Sequence, residues 1–166
     1  MKAISIKYPW SILICSGCKD IENRTWNTNY RGRVFIHESK NIQMNLSDSQ
    51  ISELKKNPFI NQIIILGKKK GSSAIIGSVD IIDCIVGDKK NGVWAEYGFA
   101  DNSKPIMNWK LSNPILYETP IPAKGALSFW DSGLNEHIVN NNYVNLIDMV
   151  SNKIVHKTNI QYYDFK

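Results

Sequence analysis

The chain has 166 residues, with 20 Lys+Arg against 15 Asp+Glu and a formal charge of +5. Apolar residues make up 43% and charged residues 21%, which excludes a disordered chain, a coiled coil and a collagen-like repeat. One domain of this length buries roughly 70% of its unfolded surface, and no apolar run approaches the roughly 20 residues of a membrane helix.

Ala3–Lys7 alternates around Ile4 and Ile6 and reads as a first strand. Pro9 then sits where a helix can begin, Trp10, Ile12, Leu13 and Ile14 supply an apolar stripe, and Gly17 stands at its end. Lys19–Trp26 and Arg33–His37 read as two further strands, joined by a polar link over 27–32. Ser47 and Gln50 form a capping box ahead of Ile51 and Leu54, predicting a short helix over 47–57 closed by Pro58.

Ile63–Leu66 reads as a buried strand or turn, and the run from Gly67 to Gly71 as a lysine-rich loop. Ala74–Ile85 is a long strand signal with Gly77 at a bulge position. Val93–Phe99 and Ile106–Leu111 read as strands, Pro105, Pro114, Pro120 and Pro122 as breaks, and Ala126–Trp130 as a last core strand. Beyond the asparagine run 140–142, Tyr143, Leu146, Ile147, Val150 and Ile154 follow helical spacing. Many short strands with few helices predict an α+β chain built on a small closed or half-closed β-barrel with peripheral helices.

The opening segment Met1–Trp10 lacks the apolar stretch of a signal peptide. With Cys15, Cys18 and Cys84 as the three cysteines, this places the chain in a reducing cytoplasm, without a membrane partner. Cys15 and Cys18 form a lone C-x-x-C without the second pair that a structural zinc site needs. Neither a metal nor a cofactor motif is present.

The segment 9–40 carries the chemistry. All three arginines of the chain, Arg24, Arg31 and Arg33, lie within ten residues of one another. Arginine offers a planar fork for phosphates, carboxylates or base edges. On an extended strand Glu22, Arg24 and Trp26 share one face, and Phe35, His37 and Ser39 share a face of the next strand. Two such strands side by side would put an acid, basic groups, an indole and an imidazole around one cleft. That combination suits a base stacked on a ring with its phosphate held by Lys or Arg.

Pro9-Trp10, Gly17-x-Lys19-x-x-Glu22-x-Arg24-x-Trp26, Tyr30-Arg31-Gly32 and Ile36-His37-x-Ser39-Lys40 resemble, in that order, the ASCH domain. Gly77-x-Val79, Trp109-x-Leu111-x-Asn113-Pro114 and Pro122-x-Lys124-Gly125-x-Leu127-x-Phe129-Trp130 extend the likeness over roughly Lys2–Ser132. The resemblance implies a PUA-like barrel over 1–132 with a cleft beside its first helix; 133–166 lie outside it and are expected to pack on it as a helical extension. It also implies RNA or nucleic-acid binding. Some small ASCH members resemble amidohydrolases of an acetylated cytidine nucleoside, in which a lysine of the Gly-x-Lys motif works with a threonine three residues on. Lys19 matches that lysine, while Glu22 stands in the threonine place.

Three functions follow as expectations. The first is binding of RNA or a nucleotide in a basic cleft lined by Lys19, Arg24, Arg31 and Lys40, with Trp26 exposed for stacking, Glu22 accepting from an exocyclic amine, and His37 and Ser39 at the wall. The second is a hydrolase of a modified nucleoside or RNA, with Lys19 and Glu22 as catalytic groups. The third is a regulatory protein-interaction domain in which Glu22 and Arg24 form a structural ion pair.

Overall fold

The computed structural model describes residues 1–58, 60–61, 64, 70–100 and 103–134, together with the backbone of 143–144. Its strands are β1 (Lys2–Tyr8), β2 (Ile21–Arg24), β3 (Gly32–Ile42), β4 (Ala74–Val86), β5 (Met107–Pro122), β6 (Phe129–Asp131) and β7 (Tyr143–Val144). Its helices are α1 (Trp10–Cys15) and α2 (Asp48–Lys55). They form one mixed sheet in the order β2-β5-β4-β3-β1-β6, with β7 pairing β5 beside this path. Among the described residues only β1 and β3 run parallel; the other pairs are antiparallel.

The chain is thus α+β as expected, but the sheet does not close into a barrel. β6 pairs β1 only at Lys2, Ala3 and Ile4, and β2 pairs β5. The two ends of the sheet meet through side chains instead. Trp26, just past β2, packs edge-on against Phe129 of β6 at 5.4 Å, and Trp109 of β5 stacks on the same ring at 5.3 Å.

The local signals hold where the chemistry is local. Ser47 caps α2, its Oγ accepting from the Gln50 N–H and its own N–H donating to Gln50 Oε1. α1 buries Leu13, Ile14 and Cys15. Ile14 and Cys15 pack on the sheet face formed by Ile4, Ile36, Val79 and Ile81. Gly77 lets α1 come this close, because a Cβ there would overlap both Cys15 Sγ and the Ile115 carbonyl. A second cluster joins Leu13 to Leu54, Ile60, Ile64 and Trp94. The run read as a buried strand or turn is corrected at its one described residue: Ile64 is buried but helical; Ile63, Ile65 and Leu66 lie outside the described residues.

Four further expectations are corrected. Val93–Phe99 is not a strand. Side chains of Asn23 and Asn108 take the main-chain groups of Trp94 and Glu96 that a neighbouring strand would take, and Gly98 has φ of 91°. The prolines do not break β5, which runs through Pro114 and Pro120. The ladder to β4 shifts register near Ser78/Asp80 and Ile75/Gly77, and Asn113 adopts φ of 48°, so the irregular positions absorb residues that cannot donate. The strand expected over Ala126–Trp130 is three residues long, Phe129–Asp131, and is followed by β7 rather than being the last. Tyr143, expected to begin a helix, pairs as a strand with Tyr117; 145–166 lie outside the described residues.

Candidate functional site

The charged side chains gather at the seam where the sheet stays open. After α1, Gly17 takes φ of 78° and the Lys19 N–H donates to the Leu13 carbonyl at 2.9 Å, which turns Lys19 back beneath the helix. Its Nζ donates to the Ile21 carbonyl and to Glu22 Oε2, the latter at 3.2 Å, and lies 5.9 Å from the centre of the Trp10 ring. Alternation along β2 sends Glu22 and Arg24 to the same side. Arg24 Nε forms an ion pair with Glu22 Oε1 at 3.0 Å, and its Nη2 donates to the Ser5 carbonyl of β1 at 3.1 Å.

Lys19 is only 4% exposed and Glu22 8%. Burial pushes the Lys19 ammonium below its usual pKa, against the opposing charges of Glu22 and Glu96. Glu96 is itself exposed, and its carboxylate takes no hydrogen bond or ion pair among the described residues. Trp94, two residues before it, packs edge-on to Trp10 at 6.4 Å. The seam therefore holds two cations around the one carboxylate of Glu22, with the Trp10 ring beside Lys19 and the Trp109 ring beside Arg24.

Of the residues singled out in the sequence, Lys19, Glu22, Arg24 and Trp26 come together here. Trp26, expected to be exposed, is half-buried, edge-on to Trp109 at 4.6 Å, and its carbonyl accepts from Trp109 Nε1. Arg31 binds Asp83 at 3.0 Å and the Thr28 and Tyr30 carbonyls. Arg33 pairs with Asp80 at 3.1 Å and donates to the Asn113 carbonyl at 2.6 Å. All three arginines thus carry a carboxylate partner, so the expected basic cleft is largely neutralised from within.

His37 faces away from the seam. It pairs in register with Ser5, and both alternate with the inward residues Ile4 and Ile36. Its Nε2 donates to the Ala123 carbonyl at 3.1 Å and its ring packs edge-on to Trp130. Burial holds its pKa below the usual value. Ser39 donates to the Asn41 carbonyl near the far end of β3, and Lys40 beside it is exposed. Cys15 and Cys18 are free thiols, each pushed up in pKa chiefly by burial. Among the described residues no helix is long and apolar enough to cross a membrane.

Sequence reasoning missed Trp94, Glu96 and the asparagines that hold them, because they reach the seam only through tertiary contacts. It also missed Glu38, which is fully buried and accepts from Ser11 Oγ and from the Ser72 N–H, both at 2.9 Å.

A mixed sheet with short peripheral helices and a polar seam beside the first helix defines a PUA-like α+β domain. The sequence pattern of the ASCH domain matches residues 4–121, and the chain belongs to the ASCH family. Activating signal cointegrator 1 from Homo sapiens is 26% identical over 129 residues, covering 76% of this chain and 21% of that protein. The Mus musculus protein of the same name gives the same identity and coverage. The chain thus spans about a fifth of the length of these relatives. Among solved structures, ASCH from Zymomonas mobilis superposes with a TM-score of 0.51 at 14% identity, over 82% of this chain and 88% of that one. A variant of that protein gives 0.50 at 13%, over 84% and 94%. At such identity the likeness concerns the fold.

Proposed function

We propose that this domain binds RNA, or a nucleotide, by taking a base into the seam between β1 and β2. The observation that carries this reading is the burial of Lys19, Glu22 and Arg24 together where the sheet is open. A buried ion network is a poor source of stability compared with an apolar cluster of similar volume. Such networks in a cleft are commonly functional. Trp10 and Trp26, both half-buried, offer aromatic surface for a base, Glu22 and Glu96 accept from an exocyclic amine, and Arg24 donates to a ring carbonyl or nitrogen.

The internal pairing of the arginines gives this reading a sharper form. With few free guanidinium groups for phosphates, affinity rests on the base and depends weakly on salt. Calorimetric titration of short single-stranded RNAs and of free nucleotides at about 50 and about 200 mM salt tests it. Binding that falls by less than about tenfold is expected, against the roughly thousandfold or greater loss of a protein with many phosphate contacts. No binding at low salt overturns the reading.

The lowered pKa of Lys19 favours a second reading, a hydrolase of a modified nucleoside in which Lys19 moves the proton beside Glu22. Turnover of an N-acylated nucleoside that survives Lys19→Met excludes it.

A further inference from the structure

Asn108 of β5 is completely buried and uses its whole amide. Its Nδ2 donates to Asn23 Oδ1 and to the Glu96 carbonyl, both at 2.9 Å. Its Oδ1 accepts from Asn91 Nδ2 at 2.9 Å and from the Asp88 N–H at 3.4 Å. Two donors and two lone pairs are all that an amide has. Asn23, between Glu22 and Arg24, completes the network: its Nδ2 donates to the Trp94 carbonyl at 2.9 Å and its Oδ1 accepts from the Glu96 N–H at 3.1 Å.

We propose that Asn108 is a positioning residue of the binding site, fixing the 88–96 loop through Asn23 and Asn91 so that Trp94 and Glu96 form the second wall of the seam. This rests on the base-binding reading for its purpose, though not for its geometry. A surface loop can satisfy its main chain with water at little cost. Here two asparagine side chains on the sheet do so, and of the two loop residues they grip, Trp94 is buried against Trp10 and Glu96 is exposed. Trp94 touches Trp10, whose ring lies by Lys19, and the Glu96 charge acts on Lys19. Gly87 allows the same approach, since a Cβ there would overlap the Glu96 carbonyl. A wall held in place before the ligand arrives avoids the ordering cost at binding.

The test separates the latch from the ligand. In the ligand-free protein, the Lys19 side chain is titrated by NMR at its Cε in wild type, Asn108→Ala, Glu96→Gln and the double variant. Glu22 and Arg24 remain in all four. Glu96 raises the Lys19 pKa, so Glu96→Gln should lower the midpoint. Asn108→Ala should lower it too, by letting the carboxylate drift, and the double variant should match Glu96→Gln alone, since both changes remove one interaction. Asn23→Ala, which frees the same loop from β2, serves if Asn108→Ala fails to fold. RNA affinity should fall about tenfold in either latch variant. A latch variant that melts earlier yet keeps the wild-type Lys19 midpoint and affinity reduces Asn108 to a structural residue and overturns the inference. Wild-type protein that binds no RNA or nucleotide, but shows the non-additive Lys19 titration, overturns the base-binding reading and leaves the latch standing.

Discussion

Arg24 of β2 donates from Nη2 to the main-chain carbonyl of Ser5 at 3.1 Å. That carbonyl lies one residue past the last β1 position paired with β6, at Ile4. A guanidinium thus takes the place of a strand at the open edge of β1. The same side chain pairs with Glu22, which in turn holds Lys19, so the charged network and the end of the sheet are one construction. A ligand that enters the seam competes with Arg24 for a main-chain carbonyl and with Lys19 for a carboxylate.

Glu22→Ala should be more damaging than its position on a four-residue strand suggests. It leaves Lys19 and Arg24 without their shared carboxylate, with side chains only 3% and 24% exposed. Removing one partner from a buried ion network costs about 3 kcal/mol or more, and the partial exposure of Arg24 trims this. Urea unfolding of Glu22→Ala and Glu22→Gln measures it. The glutamine variant should recover part of the loss, as it still accepts one hydrogen bond.

Stability should fall as pH drops below about 6.5, the unfolded pKa of histidine. His37 is buried, and its folded pKa is depressed by burial, with the Ala123 carbonyl opposing. Between the two pKa values the unfolded chain binds the proton and the folded chain does not, so stability is full above about 6.5 and is lost on acidification. Among the described residues no acceptor stands ready for a second N–H: His37 Nδ1 has no hydrogen-bond partner there, and a Cβ at Gly125 would lie 2.6 Å from it. Asp83, Asp88 and Asp131 also have lowered pKa values, each first through a main-chain N–H, but they act below about 4. Urea melts at pH 7.5, 6.5 and 5.5 should show a decline in wild type that His37→Gln removes.

What could be read from sequence was what lies within a few residues. The Ser47–Gln50 cap, the Gly17 turn and the shared face of Glu22 and Arg24 follow from spacing alone. The fate of Arg31 does not: its carboxylate, Asp83, is 52 residues away on β4. His37 and Arg24 lie on neighbouring strand signals in the sequence, yet β3 and β2 are separated in the sheet by β4 and β5. Val93–Phe99 has the composition of a strand, and only the buried amides of Asn23 and Asn108 make an irregular loop acceptable there. Barrel closure failed as an expectation because the ring contacts of Trp26 and Phe129 join the edges without a ladder.

Glu38 should prove a fold determinant rather than a ligand group. It ties Ser11 of α1 and the main chain at Ser72 to β3, with no exposure of its own. Burial, with its carboxylate as a further cause, pushes the Tyr8 hydroxyl up to about 12. Glu38→Leu would strand the Ser11 hydroxyl and the Ser72 N–H, at about 1–3 kcal/mol for each buried group left unpartnered. Glu38→Gln keeps an acceptor and should lose less. Thermal melts of both, with RNA binding measured well below the melting temperature, should show stability changing and affinity holding.

The residues beyond Leu134 should matter to solubility more than to binding. Leu134 belongs to the third apolar cluster with Ala3, Phe35, Ile75 and Tyr117, on the sheet face opposite α1. Its carbonyl accepts from the Met1 ammonium at 2.7 Å. β7 then pairs with Leu116 and Tyr117 of β5, beyond the part of β5 that β2 covers at Met107–Lys110. Truncation after Leu134 keeps the cluster and the seam but strips β7 from β5. An uncovered strand edge is a template for pairing with another copy. The shortened chain should therefore aggregate on heating and melt lower, while its affinity for RNA, measured on the soluble fraction, stays within about twofold, since sites with no shared partners act nearly independently. A truncated chain as soluble and heat-resistant as the full one would show that β7 protects nothing.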